Sequence, residues 1–111
     1  MADKADVQAV FDGTPGAFLP EKAANVNKTV QWDLTGDGGG KWYVKIADGA
    51  CTVAEGEADS PNMTMTMTAD DYLALMNGSL NGQQAFMTGK LKIAGDMMLA
   101  MQMQGWFAPR T

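Results

Sequence analysis

Histidine is missing from this chain altogether. That removes the commonest general base and the commonest metal ligand. Cysteine occurs once, at Cys51, so no disulfide can close within the chain and no thiolate zinc site can be built. A Cys51 nucleophile would have to be activated without imidazole. The position reads better as a small hydrophobe facing inward from a strand. Basic residues are scarce, eight against thirteen acidic ones, giving a formal net charge of −5. They form no stripe, so nucleic acid is not an expected partner. The net charge also argues against a strongly anionic membrane, leaving at most transient membrane contact. No stretch reaches the roughly 18 apolar residues of a membrane span. The opening MADKADVQAVF lacks an apolar run of signal-peptide length. A reducing, cytoplasmic setting is expected, with no metal and no cofactor.

What is present is the composition of a globular protein, 46% hydrophobic and 19% charged. Residues 1–111 read as one domain, since no linker divides them. Residues 3–12 predict a short helix, with Val7, Val10 and Phe11 on one face and Gly13 as its stop. A second short helix begins at Pro20, where a missing N–H costs nothing. Strand patterns follow. Val30, Trp32 and Leu34 alternate with Gln31 and Asp33. Trp42, Val44 and Ile46 alternate after the loop TGDGGG. Asp48-Gly49 marks a hairpin turn. Cys51 and Val53 continue an inward row, and residues 62–68 form a fourth strand. The four runs read as an antiparallel meander.

The second half changes period. Thr68 with Asp71 three residues on makes a capping-box pattern, leading a helix with Tyr72, Leu73, Leu75 and Met76 on its apolar side. Asn81 caps a further short helix carrying Ala85, Phe86 and Met87, closed by Gly89. Residues 90–93, KLKI, read as a fifth strand with Leu91 and Ile93 inward. Gly95-Asp96 opens a last helix. The architecture is therefore α+β, an antiparallel sheet with helices on one face.

Two motifs invite chemistry and fail. TGDGGGK is no phosphate-binding loop, because Thr35 and Trp42 stand where glycine and Ser/Thr are needed. Glu55, Glu57 and Asp59 cluster in a turn-like segment and read as a solvated acidic rim rather than a catalytic pair. No enzymatic activity is expected.

The positive signal is methionine, ten in 111 residues. Met63, Met65 and Met67 alternate with Thr64, Thr66 and Thr68, so three thioethers share a strand face. Met97, Met98 and Met101 follow on the last helix, with Met76 and Met87 between. Such stripes serve either as gap-filling core or as the wall of a cavity that repacks around varied ligands. A rigid core is better built from Leu, Ile and Val.

Several ordered motifs then carry a family resemblance. The hairpin W-x-V-x-I-x-DG (42–49), the block M-x-A-D-D-Y-L-A-L-M-x-G (67–78) and above all G-Q-Q-A-F-M-x-G-K-L-K-I-x-G-D (82–96) resemble the sterol carrier protein type 2 domain. The likeness runs from about Ala9 to Phe107. It implies a five-stranded sheet covered by about five helices, with a hydrophobic tunnel between, and non-catalytic binding of fatty acids, fatty acyl-CoA or sterol- or isoprenoid-like lipids.

On that resemblance the tunnel is lined from the sheet by Trp32, Leu34, Val44, Ile46, Met63, Met65, Met67, Leu91 and Ile93. Helices add Met76, Gln83, Phe86, Met87, Met97, Met98 and Met101. Trp106 and Phe107 either stand at its closing end or are exposed lid aromatics that touch a membrane, and Gln83 or Gln84 is placed to bond a ligand head group. The terminal Pro109-Arg110-Thr111 carries no SKL-type peroxisomal address. A monomer or weak dimer is expected. The resemblance also admits a second role, an accessory module that docks to a lipid-metabolising enzyme through Trp106 and Phe107.

Overall fold

The computed structural model describes residues 3–106, the side chains at 100, 101 and 104 excepted. Helix α1 (Lys4–Ala17) opens the chain, followed by a 3-10 turn at Pro20–Lys22. Strands β1 (Lys28–Thr35), β2 (Gly40–Ala47), β3 (Ala50–Glu55) and β4 (Met63–Thr68) come next. Helices α2 (Ala69–Met76) and α3 (Gly82–Met87), strand β5 (Lys92–Gly95), helix α4 (Met97–Met103) and a second 3-10 turn (Gln104–Trp106) complete it. The fold is α+β, with one five-stranded sheet and four α-helices among the described residues.

The sheet order is β3-β2-β1-β4-β5. The first three strands form the expected antiparallel meander, with Trp32 opposite Trp42 and Val44 opposite Val53. The fourth corrects it. β4 pairs with β1 in parallel, Met63 beside Val30 and Met65 beside Trp32, so the sheet is mixed. After β3 the chain does not turn back beside its neighbour. Residues 56–62 carry it across the sheet to the far side of β1. The span is about three strand spacings of roughly 4.8 Å, within reach of seven extended residues at about 3.3 Å each.

Gln31 holds this crossover. It points to the polar face of the sheet, yet it is 4% exposed because the crossover covers it. Its Nε2 donates to the Gly56 carbonyl at 3.0 Å, and its Oε1 accepts from the Ala58 N–H at 2.8 Å. Asn62 ends the segment. Its N–H donates to the Thr29 carbonyl, and its Oδ1 accepts from the Thr29 N–H, both at 2.8 Å.

The opposite, apolar face carries the core. Val7 and Phe11 from α1 and Tyr72 from α2 press onto it. Phe11 stacks on Trp42, with ring centroids 4.7 Å apart, and on Tyr72 at 4.9 Å; Tyr72 meets Trp32 edge-on at 5.1 Å. Four rings therefore bind two helices to two strands, in the offset and edge geometries that aromatic quadrupoles favour.

Local signals set the ends. Thr68 Oγ1 accepts from the Asp71 N–H and Asn81 Oδ1 from the Gln84 N–H, so both caps form as the sequence indicates. Asp48 and Gly49 both adopt positive φ, 55° and 74°, as a two-residue hairpin turn requires.

Three boundaries differ from expectation. Helix α1 runs through Gly13 and Pro15 to Ala17. Proline in the last turn forfeits only one helical hydrogen bond, and burial of Val7 and Phe11 outweighs glycine's penalty of about 1 kcal/mol. The segment from Pro20 closes as a three-residue 3-10 turn rather than a helix. The last strand begins at Lys92, not Lys90, because Lys90 and Leu91 both donate to the Ala85 carbonyl and complete the turn after α3.

Candidate functional site: an apolar sheet face lined with methionine

The β4 stripe lies where alternation puts it. Met63, Met65 and Met67 are 1%, 7% and 3% exposed, while Thr64 and Thr66 are half-buried and Thr68 is exposed. Register extends the stripe into rows across the sheet. One row runs Trp42, Trp32, Met65, Ile93, and another Val53, Val44, Val30, Met63. Leu34, Ile46 and Leu91 are buried on the same core, and Ile93 and Met76 pack against it while partly open. The sheet contribution to the expected lining is thus brought together on one apolar surface.

The helical contribution is spread differently. Met87 is 76% exposed, Met98 67%, Met97 46% and Phe86 40%. Gln83 is also exposed. Helix α3 buries only Ala85, and α4 turns Leu99 inward rather than Met97 or Met98. Asp96 fixes that choice of face: its Oδ1 accepts from the N–H groups of Met98 and Leu99 at the start of the helix. The side chain of Met101, and all of Phe107, lie outside the described residues.

Trp106 is 5% exposed and belongs to the wall of a cleft of about 420 Å³, with Lys22, Val26, Gln102 and Gly105. Its carbonyl accepts from the Leu19 N–H at 2.7 Å, tying the end of the described chain to the segment between α1 and the first 3-10 turn. A smaller, polar hollow of about 290 Å³ opens on the other sheet face, lined by Thr29, Tyr43, Lys45 and the crossover.

The ionisable groups are engaged elsewhere. Burial pushes the half-buried Cys51 thiol up to about 11, the opposite of what a nucleophile needs. Glu57 hydrogen-bonds Lys41, which lowers the carboxyl and raises the ammonium from their ordinary values. Glu55 pairs with Lys4 at 3.0 Å. Among the described residues no group of three acidic, histidine or cysteine side chains could hold a metal. Nor is any described helix long and apolar enough to cross a membrane. The residue that sequence reasoning missed is Gln31; alternation alone assigns it to solvent.

Comparison with known proteins defines the class. The profile of the SCP-2 sterol transfer family matches residues 5–108. The chain belongs to that family, one of lipid binding and transfer whose domains are typically non-catalytic carriers. Human sterol carrier protein 2 is 45% identical over 69 residues, covering 60% of this chain and 13% of that protein. Human hydroxysteroid dehydrogenase-like protein 2 is 38% identical over 74 residues, 66% of this chain; the match spans 18% of that protein's length. The solution structure of palmitated SCP2L2 from Aedes aegypti superposes with a TM-score of 0.72 at 26% identity, covering 93% of this chain and 91% of that one.

Proposed function

We propose that residues 1–111 act as one lipid-binding unit that takes up a single hydrophobic chain and carries it without altering it. The ligand class is fatty acid, fatty acyl-CoA or a sterol- or isoprenoid-like lipid. The observation that carries the reading is the β4 stripe, three unbranched thioethers side by side on the core face of the sheet. Methionine changes rotamer at little cost, so such a wall adapts to chains of different shape. The tunnel runs along this wall between sheet and helices, with Met76 on its helical side. Gln83 meets the head group. The cleft beside Trp106 is one end, and its volume lies in the usual range for small-molecule sites, about 300–1,000 Å³. Trp106 closes it.

The energetics support a carrier. Burying the about fourteen methylenes of a palmitoyl chain contributes about 11 kcal/mol at about 0.8 kcal/mol each. Association costs of at least about 4 kcal/mol leave at most about 7, an affinity no tighter than about ten micromolar. That is tight enough to load and loose enough to release. The protein works in the cytoplasm as a monomer or weak dimer, and its chemistry ends at binding. The palmitated relative supports an acyl chain as the first ligand to try.

The test is native mass spectrometry of the purified protein, followed by solvent extraction. A lipid near one per chain, displaced by added fatty acid, is the expected result. A bare mass that also fails to take up a fluorescent fatty acid would leave the methionines as packed core and overturn the reading.

A further inference from the structure

The apolar layer is of two kinds, and the seam between them follows β1. On one side stand four rings, Phe11, Trp32, Trp42 and Tyr72, all buried. Phe11 stacks on both Trp42 and Tyr72, at interplanar angles of 11° and 14°, and Tyr72 meets Trp32 at 66°. Each ring is thus braced by another. A flat side chain with two torsions cannot swing aside in such a stack without breaking it, because a close-packed interior leaves no room. On the other side stand the β4 methionines, unbranched and able to change rotamer. Trp32 sits beside Met65 in the sheet, so the rigid and yielding surfaces meet where β1 pairs with β4. The yielding strip is narrow. Beyond β4 the sheet has only β5, which sets Ile93 beside Met65 and Gly95, without a side chain, beside Met63. The strip is therefore about one strand spacing wide, roughly 4.8 Å.

We infer that this ring stack restricts the ligand to a single linear chain and rejects fused-ring lipids, so that a fatty acyl chain is taken and a sterol is not. The inference rests on the carrier reading and narrows it. A polymethylene chain bends at every bond and lies along a strip one strand wide while the methionines repack around it. A steroid nucleus is a broad plate without internal torsions. To lie on the same strip it must displace Trp32 and Tyr72 or spread past Ile93, which is already partly exposed. The first breaks the stack. The second leaves apolar ligand surface in water and forfeits the gain from burial. Phe11 is a positioning residue in this selection: it backs Tyr72 from the side away from Trp32 and acts on the ligand only through it.

The experiment is displacement of a fluorescent fatty acid from the full chain by palmitate and by cholesterol. Palmitate should displace it and cholesterol should not. Phe11→Ala opens a ring-sized apolar gap behind Tyr72, of the kind that stays dry and admits apolar molecules. Its affinity for cholesterol should rise about tenfold or more, the effect of burying some two further methylenes, while palmitate changes little. Phe11→Leu keeps most of the volume but ends the stacking; it should move the same ratio, and it carries the test where circular dichroism shows Phe11→Ala unfolded. Val53→Ala removes apolar volume from β3, beyond the stack, and should leave both ligands unchanged. Cholesterol binding by the parent as tight as palmitate binding overturns the inference and leaves the carrier reading standing. Folded Phe11 variants that keep the parent's ratio overturn it as well. A parent that takes up no fatty acid overturns both.

Discussion

The side-chain carbonyl of Gln31 accepts the Ala58 N–H at 2.8 Å, beneath a segment that crosses two strands. One amide thus satisfies two backbone groups of the crossover from inside the sheet. Gln31→Leu removes both bonds and leaves the Gly56 carbonyl and Ala58 N–H to find water. A loss of about 1–3 kcal/mol is expected in urea unfolding. Limited proteolysis should cut first within residues 56–62 of the variant. An unchanged midpoint would show that the crossover holds itself.

The β4 methionines make a separable prediction. Replacing Met63, Met65 and Met67 together by Leu nearly conserves volume, so each change should cost less than about 1.5 kcal/mol. Leucine rotamers are better defined, and the wall becomes less adaptable. Binding should persist for one chain length and weaken for others in a fluorescent displacement series. A ligand range equal to the parent's would separate breadth from methionine.

Exposure ranks the sulfurs for oxidation. Limited treatment with hydrogen peroxide converts an accessible thioether to its sulfoxide and water. Met87 and Met98 should react first, Met97 next, and the β4 methionines only on unfolding. Peptide mass mapping over time reads the order. Early oxidation of Met65 in the folded protein would show solvent on that sheet face.

Cys51 should behave as a reluctant thiol. Burial raises it to about 11, so iodoacetamide alkylation of the native protein should gain rate with pH up to a midpoint near that value. The folded state holds the proton more tightly than the unfolded one, whose thiol titrates near 9. Its contribution to stability is therefore complete below pH 9 and lost as pH rises through about 11. Thermal melts from pH 8 upward check the sign; the protein should lose stability across that window more steeply than Cys51→Ala.

These predictions draw on features that were unequally readable. The caps at Thr68 and Asn81 and the turn at Asp48-Gly49 are local, set by side chains within three residues of the groups they satisfy. The β4 alternation is equally local, and so were its buried methionines. Strand partnership is not. Residues 62–68 read alike whether they pair with β3 or β1, because period 2 fixes which face a side chain takes and says nothing about the neighbour. Gln31 was misread for the same reason, its cover arriving from more than twenty residues away. Helical faces fell between. The Met97-Met98 pair is legible as apolar, but the capping bonds of Asp96 and the packing of Leu99 decide which side turns inward.

The parallel pairing of β1 with β4 has a consequence for how the chain must assemble. β1, β2 and β3 are joined by tight turns and can zip together early. The flank of β1 that faces β4 then stays bare until residues 63–68 have crossed over. During that interval a central, apolar strand presents unpaired N–H and C=O groups, the template on which chains aggregate. A nascent chain that pauses before Met63, or a fragment ending at Glu55, carries that open flank permanently. Slow refolding at high concentration should therefore divert material into β-rich aggregates.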